Sequence, residues 1–377
     1  MNTTVSFTTN QRHPVKYDGP LDFAFILHPR SIPDILRTYP HLCEETDDHV
    51  IETIARHSTH VCCSVEAHFN GSLVRGEVIA VPFLPREFRN QPRNVRESLF
   101  SIFDYCSTRQ TRIIGLGGLL PSITRFGSVL AERSGNVGIT TGHSFTAYSI
   151  AEYVRQIESL LGSTQSIAIV GAAGSTGRAI ILALFAHATP RRFTLVDLPQ
   201  RLPSLSEVIP PPDQEIVISA DLSAIRHSSL VICVTNATKA IIQPEFLRHG
   251  CIVIDDAQPE NISFEAARHR PDVIVIKCLA RIPRLECPYD FGLFPHPPND
   301  STNEIAFTCL AETIALAASN HVGHFTIGSP TPKQINHIGE MAFALGISIA
   351  PFHSFPEIGT VHDHPRFQNH ARTPNLH

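Results

Sequence analysis

Short apolar runs alternate with stretches of helical spacing along most of the chain. One such run covers 166–170, helical spacing follows over 178–188, and a second run covers 193–196. Four further runs have the length and composition of buried parallel strands, at 215–219, 230–234, 251–254 and 273–276. This alternation predicts an α/β fold with a doubly wound parallel sheet over 163–300.

The N-terminal half shows a second set of strand-like runs, at 22–27, 60–69, 72–81, 112–115 and 138–141. Asn70-Gly71 joins two of them and supplies the positive φ angles of a tight hairpin turn. An amphipathic helix is predicted over 144–161. We therefore expect a flexible arm over 1–20, followed by an N-terminal α/β substrate domain over 21–162.

Helical spacing returns near the C-terminus. Residues 301–304 form a capping-box pattern, which predicts a helix from 303 to about 319. On that helix Cys309 and Glu312 would share one face. We expect residues 301–353 to pack back at the interface of the two domains. The segments that follow predict a helix, an edge strand and a disordered tail, at 332–345, 347–350 and 354–377.

A glycine-rich turn links the run at 166–170 to the helix after it, and it contains Gly171, Ala173, Gly174, Ser175, Thr176 and Gly177. Glycines at such a turn let backbone N–H groups approach a pyrophosphate, whose charge the helix N-terminus attracts. Asp197 ends the next run, where an acid can accept hydrogen bonds from an adenosine ribose. The pattern predicts Rossmann-type dinucleotide binding, with an ordinary tight turn as the alternative. Later strands end in polar residues that either lie near the cofactor or cap loops: Thr235, Asn236, Asp255 and Asp256.

Composition narrows the classes of function. A formal net charge of −5 gives no pull toward nucleic acid, and no apolar run is long enough to span a membrane. Nine cysteines without a CxxC pair indicate reduced thiols and a cytoplasmic protein. His57, His60, Cys62 and Cys63 resemble metal-ligand spacing, but strand alternation would send the two cysteines to opposite faces, so no metal is predicted.

Two further stretches indicate contacts with a substrate or a partner. One carries four arginines that form either a solvated face or a docking patch for an acidic partner: Arg86, Arg89, Arg93 and Arg96. The other is Gly117-Gly118 after the run at 112–115, where a glycine-rich turn lets a ligand approach the backbone.

Eight short sequence motifs follow one another along the chain. In order they are FAFILHP, VRGEVIAVPFLP, GLGG with SITRFG, TTGHSFTAY, VGAAGSTG, VIDDAQPENI, FTCLAE and IGEMAFALG. From about Phe23 to Pro351 they resemble the long-chain acyl-(acyl-carrier-protein) reductases. The resemblance implies reduction of a carrier-bound acyl thioester to an aldehyde by NADPH, through a cysteine that accepts the acyl group. FTCLAE puts that role on Cys309 and matches Glu312 to the acid of the motif. The resemblance also places Gly117, Gly118 and Thr141 with the substrate.

The chain departs from the family in several blocks. TTGNTHTAY appears here as TTGHSFTAY, so His143 and Phe145 replace an amide and a histidine, and residues 278–280 replace a Gly-Gly pair. Asp197 stands where the family tends to have an arginine nearby for the NADPH phosphate. Its carboxylate repels a 2′-phosphate and favours NADH, although Arg201 could bind that phosphate. The cofactor is expected to be NAD(P)H, with a slight preference for NADH.

A thioester-attacking cysteine must be activated, because only a few per cent of a free thiol is thiolate at neutral pH. Two turns into its predicted helix, Cys309 would gain little from the helix dipole. We therefore expect His28 or His143 to activate it. Cys287, in an irregular loop, is a rival nucleophile, and Cys309 could instead be a small apolar core residue.

The sequence thus predicts an NAD(P)H-dependent reductase that converts an acyl-carrier-protein or coenzyme A thioester to an aldehyde. One alternative is a two-domain oxidoreductase of the shikimate dehydrogenase type. That reaction needs a Lys–Asp pair for proton transfer, whereas the N-terminal part has only Lys16. The other alternative is a non-catalytic, cofactor-sensing binding protein on the same fold.

Overall fold

The computed structural model of the protein describes residues 17, 19–55, 60–162, 166–186, 191–206, 208, 210–287, 304–355, 358, 361 and 364–368. His57, Lys16 and the first three residues of the predicted capping box lie outside the described residues.

The N-terminal half forms a mixed sheet covered by helices. Its strands are Phe23–Leu27 (β1), His60–Phe69 (β2), Ser72–Ala80 (β3), Ile113–Leu116 (β4) and Gly138–Thr140 (β5). Its helices are Ile32–Thr38 (α1), Asp47–Ala55 (α2), Glu87–Asn90 (α3), Pro92–Thr108 (α4), Leu120–Ile123 (α5), Ser128–Ala131 (α6) and His143–Leu161 (α7). The strand order is β2-β3-β1-β4-β5, parallel from β3 to β5. β2 and β3 form the antiparallel hairpin predicted around Asn70-Gly71.

The two cysteines on β2 do not point to opposite faces, as strict alternation predicts. The register between β2 and β3 shifts between Val61 and Cys63, so Cys62 is an extra residue in the ladder. Both Cys62 and Cys63 are buried in one hydrophobic cluster, which also contains Cys287. The bulge is the physical reason: it inserts one residue and thereby resets the alternation.

The second sheet is entirely parallel. Its strands are Ser166–Val170 (β6), Arg191–Val196 (β7), Gln214–Ser219 (β8), Leu230–Cys233 (β9), Ile252–Asp255 (β10) and Ile274–Lys277 (β11), with helices Ser175–Phe185 (α8) and Phe264–Arg268 (α9). Their order is β8-β7-β6-β9-β10-β11, the doubly wound arrangement of dinucleotide-binding domains. The prediction of an α/β fold with a Rossmann-type sheet is confirmed. The last strand ends at Lys277, well before the expected boundary at 300.

The chain then returns to the first half of the molecule. The remaining elements are Leu279–Arg281 (β12), Leu285–Glu286 (β13), Ile305–Phe307 (β14), Thr308–Ala318 (α10), Pro332–Ala344 (α11), Ser348–Ile349 (β15) and Pro365–Gln368 (α12). β13 adds to β2 as the sixth strand of the first sheet, while β12 pairs with β14 and β15 in a small antiparallel sheet. As expected, these helices pack back onto the earlier elements: α10 contacts α7 and β4, and α11 contacts α7 and α8.

Two C-terminal predictions are corrected by this packing. The first helix starts at Thr308 rather than 303, because Ile305–Phe307 pair with β12 as a strand. Part of the expected disordered tail is folded: Phe367 in α12 is buried and packs on Phe352, with ring centroids 5.0 Å apart. Within the described residues no helix combines the length and the apolar character needed to cross a membrane. All nine cysteines are free thiols.

Candidate active site

A cleft lies between the carboxyl ends of the two large sheets. One wall is formed by residues that follow β1, β4 and β5, and the other by residues that follow β9 and β10. Carboxyl ends of parallel strands are where ligands of α/β proteins bind. The space between its atoms is about 850 Å³, with the open mouth included. It collects many of the residues singled out from the sequence: His28, Gly117, Gly118, Thr141, His143, Thr176, Thr235, Asn236, Asp256 and Cys309.

Cys309 is the second residue of α10, and its side chain is partly exposed in the cleft. The sequence predicted a position two turns into the helix, where the helix dipole has little effect on the thiol. At the second residue of the helix the dipole instead favours the thiolate. The first backbone N–H groups of a helix have no partner within it and favour negative charge. The N–H groups of Cys309 and Leu310 face the sulfur and lower the pKa of the thiol, but burial and the Asp256 carboxylate outweigh them and raise it.

Gly142 provides the surface on which Cys309 packs. It is the N-cap of α7 and has a φ of +77°, a backbone conformation that favours glycine. A Cβ atom added there would overlap both Cβ and Cα of Cys309. The start of α7 and the start of α10 are therefore in direct contact. Thr146 and Thr308 join the same two helix ends through a 2.7 Å hydrogen bond between their hydroxyl groups.

Glu312 does not line the cleft but stabilises the contact between the starts of α7 and α10 from the protein interior. It is fully buried, and its Oε2 accepts the Phe145 N–H of α7 at 2.7 Å. Its Oε1 accepts the Thr326 hydroxyl at 2.9 Å and the Thr140 hydroxyl. Burial raises the pKa of Glu312, while these hydrogen bonds oppose the rise. The carboxyl group positions the turn beside Cys309 and does not touch the space where a substrate would bind.

Thr141 carries a polar atom that the fold leaves without a partner. Its side chain is buried and lines the cleft, and within the described residues its hydroxyl makes no hydrogen bond. A buried hydroxyl without a partner costs about 1–3 kcal/mol. A ligand oxygen in the cleft would recover that cost.

The two candidate histidines differ in the hydrogen bonds that their ring nitrogens make. His28 Nδ1 lies 2.9 Å from the Pro29 carbonyl, and its Nε2 accepts the Leu119 N–H at 3.0 Å. Both nitrogens are hydrogen-bonded and burial lowers the pKa of His28 to about 4, which disfavours the predicted role as the base for Cys309. The Gly117–Leu119 turn uses the ring as an acceptor.

His143, the first residue of α7, keeps one nitrogen available. Its Nδ1 lies 3.0 Å from the Ser175 hydroxyl, which donates to the Gly328 carbonyl at 2.7 Å, so His143 donates to Ser175. Nε2 is the acceptor of that tautomer. Burial lowers the pKa of His143 to about 4, which makes it a weak base.

The predicted cofactor residues form a compact loop. Gly177 lies so close to Gly171 that a Cβ there would overlap the Gly171 carbonyl oxygen, as tight strand–helix packing requires. Asp197 Oδ2 accepts the Ala173 N–H and its Oδ1 accepts the Leu198 N–H, each at 2.8 Å. The Ser175 hydroxyl donates to the Gly328 carbonyl. Arg201 is exposed, in a 3₁₀ turn at Pro199–Leu205.

The rival nucleophile and the arginines lie elsewhere. Cys287 is buried, with its sulfur 3.5 Å from that of Cys63, and it does not line the cleft. Arg86, Arg89, Arg93 and Arg96 are exposed, on α3, α4 and the residue before α3. Between two of them Phe88 is buried on the ring of His28, at 4.7 Å. Arg86 and Arg89 therefore lie close in sequence to a residue that packs on the cleft wall.

Asp256 is the residue whose role the sequence specified least. It follows β10 directly and shares the cleft with Cys309. Burial raises the pKa of Asp256 to about 8; the neighbouring Asp255 adds to the rise, and a hydrogen bond from Cys278 opposes it. The only signal in the sequence was the position at a strand end, which equally suits a loop cap.

Comparison with known proteins adds a limited similarity. No protein-family model matches the chain. Among curated proteins it is similar to Aminotransferase PigE of Serratia sp., at 25% identity over 301 residues, covering 76% of this chain and 34% of that protein. The chain therefore spans about a third of the length of this relative.

Solved structures with a similar fold include L-tryptophan dehydrogenase from Nostoc punctiforme, with a TM-score of 0.37 and 11% identity over 87% of this chain and 81% of that one. Shikimate dehydrogenase from Aquifex aeolicus has a TM-score of 0.34 and 12% identity, over 70% and 88%. Malic enzyme from Pyrococcus horikoshii has a TM-score of 0.36 and 14% identity, over 93% and 81%. At these TM-scores and identities the similarity supports no conclusion about this chain.

Proposed function

We propose that the protein is an NAD(P)H-dependent oxidoreductase that reduces an acyl thioester to an aldehyde through an acyl-enzyme on Cys309. One observation carries the proposal. The Cys309 thiol lies at a helix N-terminus, in a cleft whose opposite wall is the carboxyl edge of a dinucleotide-binding sheet. A nucleophile and a hydride donor could therefore reach the same carbonyl carbon. The sequence resemblance to acyl-(acyl-carrier-protein) reductases points to the same cysteine.

The first step would move the acyl group. The sulfur of Cys309 attacks the thioester carbonyl, the bond to the donor sulfur breaks, and the thiol proton of Cys309 ends on the departing thiol. The negative carbonyl oxygen formed during attack needs donors. The Thr141 hydroxyl and the free N–H groups at the start of α10 are the donors that the cleft offers. Glu312 keeps them in place through α7.

The dinucleotide would bind with its pyrophosphate at the start of α8. The first N–H groups of that helix have no partner within it, and Thr176, Thr235 and Asn236 line the adjoining part of the cleft. When bound, the reduced nicotinamide supplies the hydride to the acyl carbon. The aldehyde would then be released: the oxyanion of the hemithioacetal re-forms the carbonyl, the C–S bond breaks, and the Cys309 sulfur takes up one proton from solvent.

The surroundings suit an acyl group delivered by an acidic carrier. Next to Cys309 the cleft is lined by apolar side chains from β1, the turn after β4 and the start of α10: Phe25, Leu27, Leu116, Leu119 and Phe307. Two exposed arginines, Arg86 and Arg89, lie close in sequence to a residue that packs on its wall. Acyl carrier protein or coenzyme A, both anionic at their surface, are the proposed donors.

Other functions would give different experimental results. A shikimate-dehydrogenase-like oxidoreductase would transfer hydride without a covalent intermediate. A binding protein would neither transfer hydride nor form a covalent intermediate. An aminotransferase needs a lysine in its cleft to hold pyridoxal phosphate. No lysine is found among the described residues that line the cleft between the two sheets. The curated relative and the solved structures above do not bear on thioester reduction.

The test is to mix the protein with an acyl-coenzyme A or acyl-carrier-protein thioester, first without cofactor. Intact-mass analysis should show one acyl adduct, and NADH or NADPH should then yield aldehyde. Cys309→Ala should lose both products but retain dinucleotide binding, whereas Cys287→Ala, the matched control, should retain both. Aldehyde formation by Cys309→Ala, or turnover without any adduct, would show that the reaction is not the proposed one.

A further inference from the structure

A half-buried carboxyl group lines the cleft that also contains the proposed nucleophile. Asp256 is held by its backbone N–H, which donates to the Cys233 carbonyl at 3.1 Å. Its side chain lines the same cleft as Cys309, and the Cys278 thiol donates a hydrogen bond to it. Asp256 and Cys309 are close enough that the carboxylate charge raises the pKa of the thiol.

Among the described residues Asp256 forms no salt bridge. The charge of Lys277 lowers the pKa of Asp256, but its Nζ lies 3.6 Å from Asp255 and 3.7 Å from Glu260. Burial first, and the charge of Asp255 second, raise the pKa of Asp256 to about 8. The group therefore carries a proton at neutral pH and exchanges it readily. The other titratable or charged groups that face it or share its cleft are Tyr153 on α7, Cys278 after β11, Cys309 on α10, and His28, Arg30 and His143.

Cys309 needs such a partner. Its thiol is protonated at neutral pH, since burial raises its pKa, so attack on a thioester must be accompanied by removal of the thiol proton. Both ring nitrogens of His28 are already bonded. His143 keeps Nε2 as an acceptor, but burial lowers its pKa to about 4, so it is a weaker base than a carboxylate whose pKa is raised to about 8.

We infer that Asp256 is a catalytic acid–base residue, which carries the proton from Cys309 to the departing thiol of the donor. The inference rests on the proposed function and deepens it. As sulfur attacks, the ionised form of Asp256, which is the minor form at neutral pH, accepts the Cys309 proton. As the bond from the acyl carbon to the donor sulfur breaks, the protonated Asp256 gives that proton to the departing thiolate. Asp256 ends in its starting state, and no external proton or electron is consumed.

Leaving-group dependence tests this role. Two thioesters of the same acyl group are compared, one of coenzyme A and one of thiophenol, whose thiolate leaves without protonation. In Asp256→Asn, release of coenzyme A loses both the base and the acid, so its single-turnover rate should fall about a hundredfold or more. Release of thiophenol loses only the base and should slow less than about tenfold. Asp256→Glu, which keeps an acid, should recover part of the loss. Equal slowing with both thioesters, or slowing with neither, overturns the inference.

A second measurement separates this inference from the proposed function. Alkylation of Cys309 by iodoacetamide, followed by peptide mass spectrometry, needs no acyl substrate. At about pH 9, Asp256→Asn should alkylate Cys309 severalfold faster than the wild type, because no carboxylate then raises the thiol pKa. Unchanged alkylation overturns the Asp256–Cys309 coupling. If alkylation changes but the wild type forms no acyl adduct, the proposed function fails, and with it the proton transfer to a departing thiol.

Discussion

Cys309 and Gly142 pack so closely that no side chain can be placed between them. Gly142 starts α7 with a φ of +77°, and a Cβ there would overlap Cβ and Cα of Cys309. The contact joins the amino ends of α7 and α10, 167 residues apart in the sequence. It aims the thiol into the cleft, and this explains why a glycine is needed at the turn.

Gly142→Ala should therefore destabilise the fold and remove acyl transfer. The left-handed backbone costs about 1–2 kcal/mol for a residue with a Cβ, and the overlap with Cys309 adds to it. Gly135→Ala is the matched control, since Gly135 has a φ of +56° but open space around its Cα. Urea unfolding and adduct formation are the measurements. Equal effects of the two changes would show that the contact with Cys309 does not matter.

Glu312→Gln should weaken the turn while leaving the cleft lining intact. Glutamine offers one acceptor oxygen where the carboxylate offers two, so either the Phe145 N–H or the threonine hydroxyls lose their partner. We expect a loss of about 1–3 kcal/mol in unfolding free energy, and slower acyl transfer with unchanged dinucleotide binding. Glu132→Gln, at an exposed ion pair with Arg125, should change neither. A fully stable, fully active Glu312→Gln variant would contradict the positioning role.

His28 should make the protein sensitive to acid. Its pKa is about 4 in the fold, against an ordinary value of about 6.5, so the unfolded chain binds the extra proton between these values. Stability contributed by the neutral ring is present above about pH 6.5 and is lost as pH falls toward 4. Between pH 7.5 and 5 this loss is about 2 kcal/mol. Urea unfolding of His28→Gln should show a correspondingly smaller decrease, while the exposed His227→Gln should behave as the wild type.

Cofactor preference should depend on Asp197. Its carboxylate lies at the end of β7, where it would repel a 2′-phosphate, and this favours NADH. Asp197→Asn keeps an acceptor for the Ala173 N–H but removes the charge, so affinity for NADPH should rise about tenfold or more relative to NADH. Arg201→Ala should change NADH binding little. The wild type could instead prefer NADPH strongly and lose this preference in Arg201→Ala. That result would show that Arg201, and not Asp197, determines the cofactor preference.

The exposed arginines should matter only for a charged carrier. Arg89 and Arg93 have no side-chain partner among the interactions of the described residues, unlike Arg86, whose Nε lies 2.6 Å from Glu87. Reversing both to glutamate should raise KM for acyl-carrier protein about tenfold at low salt, and the effect should fade as salt screens the charges. A short uncharged thioester should react as before. Reversal of Arg226 and Arg268, exposed on the nucleotide-binding half, is the control for net charge; if it raises KM equally, the proposed docking patch is not specific.

The sequence by itself determined the strands and the glycine turn. Apolar runs and a period of 2 or 3.6 are local properties, and so is the positive φ of Asn70-Gly71. They place the hairpin, the start of β6, the loop at 171–177 and Asp197 without knowledge of distant partners. Cys309, Thr141 and Thr235 could be named from short motifs, but the motifs say nothing about the distances between them.

Tertiary structure decided what each of these residues does. Pairing of Ile305–Phe307 with β12 begins α10 at Thr308 and so puts Cys309 at a helix N-terminus. A β-bulge buries Cys62 and Cys63 together. The Gly117–Leu119 turn occupies His28, and burial beside Asp255 makes Asp256 an acid that is protonated at neutral pH. Each outcome depends on partners far away in the chain, whose hydrogen bonds and charges a local pattern does not contain, because they are set only when the two sheets come together.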